Sequence, residues 1–224
     1  LVLLGYILYP IPDPTFGFWL GLWWLIAQLI HLPLQQLNWD QGWPFVITLG
    51  TFGLYFFTLA PGVLPADNGE FQLVAANLGL AHPPGFPLYT ILSHLFTQVP
   101  LPFSAAYKVN LFSAVTSTLT VIIVYAAAHQ LTKRHLAALT AAGALATSTT
   151  FWAQATTANI RSLTTLFAAL AFYTLIYQSQ QSQQTNKPYN WIPFTLALSF
   201  GLTHHISLAF IALIMGLFVL LTDT

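Results

Sequence analysis

Asp67, Glu70 and His82 are the residues of this chain whose types and spacing are best suited to chemistry. Asp67 and Glu70 stand three residues apart, directly after an apolar run, and they are two of only five acidic residues in the chain. A carboxylate in this position can serve as a general base or as a ligand. The same spacing fits an acidic capping box, with Asp67 at the N-cap and Glu70 at N3 of a helix. The two interpretations are compatible.

His82 opens a proline-rich turn, His82-Pro83-Pro84-Gly85-Phe86-Pro87. Each proline fixes its own φ and favours an extended conformation for the residue before it. The main role that we predict for this turn is to reverse the chain between two short helices. Its rigidity would also hold His82 towards the carboxylates.

Five further polar residues are candidates for substrate binding. Arg161 begins an apolar segment, where it either snorkels to a membrane interface or binds an anionic phosphate through two parallel hydrogen bonds. Lys108 and Asn110 present the same choice near the start of another segment. His204 and His205 are adjacent, so on a helix they point about 100° apart and form a poor chelate. One of them binding a phosphate or a polar headgroup is the more plausible role.

Composition predicts an integral membrane protein. Hydrophobic residues make up 56% of the 224 residues and charged residues only 4%, whereas about a quarter of the residues in a soluble domain are charged. The chain has no cysteine, which excludes disulfides and thiolate metal sites. The net charge is zero and the cations are scattered, so we expect no nucleic-acid partner. Few ionisable residues fall within the apolar segments, which argues against a transporter.

The apolar segments predict an all-α, polytopic membrane helix bundle. Candidate spans are residues 16–34, 43–60, 105–131, 135–152 and 160–178. Residues 191–221 would form a helix of roughly 46 Å, too long for one upright span, so we predict two short helices that meet near His204 and His205. Two interfacial helices are predicted at residues 68–80 and 88–99. In the first, Phe71, Val74, Ala75 and Leu78 form an apolar stripe for the membrane interface.

The cations predict the orientation of these spans. Lys133, Arg134 and Lys187 fall in loops on one side, which the positive-inside rule makes cytoplasmic. Residues 61–104 are then extracytoplasmic, together with the turn at 150–161 and the break at the histidine pair. Six candidate residues therefore fall at one membrane face: Asp67, Glu70, His82, Arg161, His204 and His205.

Several segments together resemble a known family. They are residues 59–72 and 78–89, which contain the Asp-x-Gly-Glu and His-Pro-Pro-Gly motifs, followed by residues 108–113, 151–155 and 201–205. The chain from Trp43 to Leu221 closely resembles a family of bacterial multi-pass membrane proteins related to the animal transmembrane O-mannosyltransferases. Residues 1–42 lie outside the resemblance. We therefore divide the chain into an N-terminal apolar extension, 1–42, and a transmembrane core, 43–224, and expect it to be a fragment.

The resemblance implies a GT-C type glycosyltransferase in a bacterial plasma membrane. Such an enzyme transfers a sugar, with mannose as the candidate, from a polyprenyl-phosphate donor to a protein or glycan acceptor outside the cytoplasm. It implies Asp67 as the base, with Glu70 second, and a donor phosphate held by Arg161 and by His204 or His205. Two carboxylates are also compatible with a divalent metal, although nothing in the sequence requires one.

One departure from the family supports an alternative. Relatives often carry a glutamate shortly after the Trp-x-Gln-Ala segment, where this chain has Asn159. The alternative is a non-catalytic structural or accessory subunit, built on a degenerate transferase core and bound to partner subunits in a larger membrane complex.

Overall fold

A computed structural model of the chain describes residues 42–185 and 190–222, and within these ranges it contains nine α-helices and no strand. The helices are α1 (Trp43–Phe57), α2 (Ala66–Asn77), α3 (Pro87–Gln98), α4 (Ala105–Thr132), α5 (His135–Thr147), α6 (Thr149–Ala155), α7 (Arg161–Thr185), α8 (Ile192–His204) and α9 (Leu208–Thr222). The all-α prediction is confirmed for this part of the chain. The predicted span at 16–34 and the predicted cytoplasmic Lys187 lie outside the described residues.

The helices differ in their capacity to cross a membrane. Among the described residues, α4 is the one helix that is by itself long and apolar enough to do so, and α5 and α6 together meet the same criterion as a bent pair. Helices α1, α8 and α9 are apolar but shorter. The structure therefore supports at least one membrane-capable helix, and the wider polytopic arrangement stays a prediction.

The apolar run at 191–221 is broken as predicted. Helix α8 ends at His204, the C-cap residue His205 is extended with φ −149° and ψ 126°, and α9 begins at Leu208. Gly201 permits close packing just before the break, because a Cβ there would lie 2.5 Å from Leu208 Cδ1 and 3.1 Å from Phe167 Cβ.

The prediction of one continuous span at 135–152 was wrong, because the segment forms two helices. Helices α5 and α6 are bent by 68° at Ser148, which adopts ψ 131°. The Ser148 amide and hydroxyl both donate to the Leu145 carbonyl, at 3.2 and 3.0 Å. Serine and threonine side chains compete with the helical backbone for such carbonyls, and the run Thr147-Ser148-Thr149-Thr150 supplies several of them.

Helix α4 lies at the centre of the described bundle and packs against α1, α2, α3, α5, α6 and α7. The Ser104 hydroxyl caps its first turn by accepting from the Tyr107 amide at 3.2 Å, and the left-handed Lys133 ends it. Tyr55 of α1 packs against Leu111 and Ala114 of α4 and Ala155 of α6 in a buried cluster. The loop that contains Asp67 and Glu70 is attached to these packed helices.

The starts of the two short helices in that loop were predicted to within two residues. The prediction that the apolar stripe of α2 faces the membrane interface was wrong. Phe71, Val74 and Ala75 are buried within the protein, and Leu78 ends the helix as a left-handed C-cap. Leu73 and Leu80 are exposed instead, at 62% and 85%. The stripe of α2 therefore joins the helix to the bundle.

Candidate functional site

The first turn of α2 presents Asp67 without using it as a cap. The helix begins at Ala66, and its N-cap is Pro65, which makes no side-chain capping bond. Our capping-box prediction for Asp67 and Glu70 was therefore wrong. Ala66 has φ 55°, a left-handed conformation that is costly for a residue other than glycine. Such strain tends to occur at functional sites, and here it immediately precedes Asp67.

Gly69 allows the preceding loop to lie directly against α2. A Cβ at this position would be 2.1 Å from the Leu64 carbonyl oxygen, a distance at which backbone must move. The Leu64 amide in turn donates to Gln72 Oε1 at 2.9 Å. The glycine of the Asp-x-Gly-Glu motif is therefore needed for close approach, and it sets where Asp67 and Glu70 stand.

Glu70 binds His82 through both carboxylate oxygens. The His82 amide donates to Oε1 at 2.6 Å, and Nδ1 lies 2.7 Å from Oε2. The side-chain hydrogen bond with His82, supported by the His82 amide, holds the pKa of Glu70 below its usual range. The same side-chain bond raises the pKa of His82 above its usual range. The pair therefore favours an ionised carboxylate beside a cationic imidazole.

Asp67 completes a three-residue cluster with this pair. One potential ligand atom from each of Asp67, Glu70 and His82 lies within 4.8 Å of the others. The Asp67 side chain is exposed, so it can accept a proton from an incoming hydroxyl group. Two carboxylates and an imidazole would also suit a divalent cation such as Zn²⁺ or Mn²⁺.

Aromatic rings connect the His82 turn to the break between α8 and α9. The Phe86 ring lies 5.7 Å from the His82 ring and stacks on the His205 ring at 5.9 Å, with an interplanar angle of 5°. Phe71 contacts both Phe86 and Tyr89, at 5.8 and 5.5 Å. Phe86 also has the left-handed φ of 43°. Sequence reasoning missed Phe86 and Tyr89, since aromatic residues are common in the chain.

The two adjacent histidines have different environments. His204 is 3% exposed, and its Nε2 donates to the Ile160 carbonyl at 3.0 Å. His205 is partly exposed, and the Ser207 amide donates to its Nδ1 at 3.2 Å. In the neutral His205 ring the proton is then on Nε2, which is a donor. The structure therefore favours His205 over His204 for contact with a ligand.

Asn110 is buried in a polar network that anchors the acidic loop. Its Oδ1 accepts from Gln72 Nε2 at 2.8 Å and from the Ala158 amide at 2.9 Å. Its Nδ2 donates to the Ala60 carbonyl at 2.8 Å. The amide of Asn110 is thus fully engaged, which favours a structural role over the substrate contact that we predicted. Sequence reasoning missed Gln72, which lies beside the apolar stripe of α2 and is buried with it.

The two cationic candidates bind groups other than the carboxylates. Lys108 Nζ donates to the carbonyls of Thr97 and Val99, at 3.0 and 2.8 Å, at the C-terminus of α3. A cation is favourable there because it complements the helix dipole. Arg161 is exposed at the start of α7, and its Nη1 donates to Gln154 Oε1 at 3.3 Å. These contacts favour a structural role for Lys108, whereas the bond from Arg161 to Gln154 is long and, within the described residues, leaves the guanidinium exposed.

Asn159 closes the turn before α7. Its Oδ1 accepts from the amides of Arg161 and Ser162, at 2.9 and 3.1 Å. Its Nδ2 donates to the carbonyls of Gln154 and Thr157. Asn159 is 3% exposed. Where relatives often carry a glutamate, this chain therefore has a buried residue that caps the start of α7 and whose side-chain oxygen and nitrogen are both hydrogen-bonded.

Comparison with known proteins identifies relatives of this chain. A family model described as the protein O-mannosyl-transferase TMEM260 N-terminal domain matches residues 67–224. A Dictyostelium discoideum protein named protein O-mannosyl-transferase tmem260 is 27% identical over 140 residues, covering 61% of this chain and 17% of that protein. The Mus musculus protein of the corresponding name is 38% identical over 117 residues, covering 51% of this chain and 16% of that protein.

The chain spans about one sixth of the length of these curated relatives, since the matches cover 17% and 16% of them. No solved structure matches the chain significantly. The family match begins at Asp67 and contains the whole acidic cluster and the histidine pair.

Proposed function

This chain belongs to the protein O-mannosyl-transferase TMEM260 N-terminal domain family, and from that premise we propose that it is the core of a multi-pass membrane glycosyltransferase. It transfers a sugar, with mannose the first candidate, from a polyprenyl-phosphate donor to a protein or glycan acceptor on the extracytoplasmic side. The observation that carries this proposal is the exposed Asp67 beside the Glu70–His82 pair, within the segment that matches the family.

In the proposed reaction Asp67 is the general base. It takes the proton of the acceptor hydroxyl while that oxygen forms a bond to the anomeric carbon of the sugar. The bond from the anomeric carbon to the phosphate oxygen breaks, and the lipid phosphate leaves with the electron pair. A phosphate is a good leaving group, so the protein needs to supply mainly the base and positive charge.

Asp67 suits the role of base better than Glu70 does. Both oxygens of Glu70 already accept hydrogen bonds from His82, and its pKa is lowered, which reduces its tendency to take a proton. Glu70 instead orients His82 and favours its charged form. The Nε2 of His82 then supplies a donor for the phosphate in addition to Arg161 and His205.

The short helices α2 and α3 would lie at the membrane interface and guide the lipid tail of the donor. Leu73 and Leu80, exposed at 62% and 85%, supply apolar contacts for that role. The same two helices carry Glu70 and, through the turn between them, His82.

To test the proposal, membranes that contain the full-length protein are incubated with a panel of polyprenyl-phosphate sugars. The sugar that becomes attached to the protein and glycan fractions is then measured. We expect one donor to be consumed by the wild type and not by the Asp67→Asn variant. Consumption of no donor by a correctly folded wild type would instead support the non-catalytic subunit.

A further inference from the structure

A groove lies between α4, α7 and α9, in the half of the bundle that is distant from Asp67. It has a volume of about 490 Å³, within the range of roughly 300–1,000 Å³ that is usual for small-molecule sites. Its lining is almost entirely apolar and includes Leu131 of α4, Leu175 and Ile176 of α7, and Met215 of α9. We refer to it as the α4–α7–α9 groove.

The polar lining of this groove is confined to one end. Ser179 and Gln180 lie there, in the last part of the groove along α7. Gln180 Oε1 accepts a hydrogen bond from Lys133 Nζ at 3.4 Å. The groove is therefore apolar along its length; at its end the side chain of Lys133 contacts its lining, and the exposed Arg134 is the next residue in the chain.

The position of the groove separates it from the proposed catalytic site. Arg161 and Gln180 belong to the same helix, α7, and at 1.5 Å per residue they are roughly 29 Å apart along its axis. That is close to the ~30 Å thickness of the hydrocarbon core of a bilayer. Residues 172–180, which border the groove, cover roughly 12 Å of the helix, less than one leaflet of that core.

We propose that the α4–α7–α9 groove binds an acyl chain of an anionic glycerophospholipid, with the lipid phosphate paired to Lys133 and Arg134. An apolar lining with positive charge at one end is complementary to an amphiphile whose single anionic group lies at one end. A packed transmembrane helix would fit less well, because the groove is short. The occupant is a membrane lipid and not the sugar donor, since the cations lie at the membrane face opposite to Asp67.

The experiment uses the full-length protein in phosphatidylcholine nanodiscs. The probes are phosphatidylglycerol and phosphatidylcholine that carry the same spin label on an acyl chain, and paramagnetic resonance gives the fraction of each that the protein immobilises. We expect preference for phosphatidylglycerol. Neutralising Lys133 in a Lys133→Gln variant should reduce that preference about fivefold, the effect of roughly one cation near an anionic headgroup. Raising the salt concentration should reduce it also.

Two matched pairs of variants separate the groove from general surface effects. Ile176→Trp fills the groove and should abolish the preference, whereas Leu213→Trp places the same side chain on an exposed part of α9, where Leu213 is 76% exposed, and should not. Lys108→Gln removes one charge at the other end of α4 and should leave the preference unchanged.

Three results would overturn the proposal. They are equal immobilisation of the two lipids, a preference that survives Ile176→Trp, and displacement of the labelled phosphatidylglycerol by an equal concentration of polyprenyl phosphate. The last result would assign the groove to the donor lipid. Because binding is measured without sugar transfer, none of these results depends on whether the proposed glycosyltransferase reaction occurs.

Discussion

Glu70 holds His82 through two hydrogen bonds from one residue, the backbone amide to Oε1 at 2.6 Å and the ring Nδ1 to Oε2 at 2.7 Å. This arrangement fixes both the start of the proline-rich turn and the orientation of the imidazole. Among the hydrogen bonds described for the cluster, none engages the carboxylate of the neighbouring Asp67. This geometry is the basis of our proposal that Glu70 orients His82 while Asp67 acts as the base.

Asp67→Asn and Asp67→Ala should both lose sugar transfer and both remain folded. Loss of a general base typically lowers the rate by about 10²–10⁴-fold. Because Pro65 is the N-cap of α2, neither variant removes a cap, and the lost charge–dipole interaction should cost only about 0.3–1 kcal/mol. Transfer rate and thermal unfolding of the purified variants check this. Wild-type turnover in Asp67→Asn would exclude Asp67 as the base.

The Glu70–His82 pair should make the turn sensitive to pH. The pKa of Glu70 is lowered and that of His82 is raised. The stabilisation is therefore complete from about pH 4.5 to 6.5. It is lost as the pH falls through the lowered pKa of Glu70 or rises through the raised pKa of His82.

Titration of the His82 ring by NMR measures this coupling. We expect a midpoint above 6.5 in the wild type and a return towards 6.5 in Glu70→Gln, which is nearly isosteric but uncharged. An unshifted His82 in the wild type would show that the pair does not form.

Gly69→Ala should destabilise the acidic loop and reduce transfer. The added Cβ would lie 2.1 Å from the Leu64 carbonyl oxygen, and overpacking of this kind costs about 1–3 kcal/mol. Gly62→Ala is the matched control, since a Cβ at Gly62 would meet nothing within 4 Å. Thermal unfolding of the two variants compares them. Equal stabilities would mean that the Leu64 backbone moves away without cost.

Asn110→Ala in α4 should strongly destabilise the attachment of the acidic loop to the bundle. It leaves the buried Ala158 amide without its acceptor, which costs about 1–3 kcal/mol, and it removes one of the acceptors of Gln72 Nε2, which keeps the Gly62 carbonyl at 3.1 Å. Asn77→Ala, at an exposed position of α2, should change stability little. A double-mutant cycle with Gln72→Ala should show strong coupling. Additive effects of the two substitutions would contradict a shared network.

Arg161→Lys should weaken binding of a short-chain polyprenyl phosphate by about tenfold, although the charge is kept, because lysine cannot form two parallel bonds to phosphate. Arg161→Gln should weaken it further. Titration of the purified protein with the lipid gives the affinities. The snorkelling alternative predicts little change for lysine, so equal affinity in all three proteins would leave Arg161 as a membrane anchor.

Local sequence patterns were sufficient to predict most helices. Apolar runs, prolines and glycines indicated α1 to α4, α7 and the break between α8 and α9, because these signals act over one or two helical turns. The bend at Ser148 was missed since the threonine-rich run is apolar enough to read as a continuous span. The motif segments also indicated the family, because their residues are close together in sequence.

Tertiary structure alone decided how the candidate residues are used. Glu70 and His82 are 12 residues apart, and Gln72 and Asn110 are 38 apart, so no local pattern specifies their pairing. The spacing of Asp67 and Glu70 fits a capping box, but in the folded chain the N-cap of α2 is Pro65. Asn110 and Lys108 are polar residues whose roles depend on which carbonyls the fold places beside them. Side chains form these bonds only after the helices pack, since packing determines which polar groups lose water and need partners.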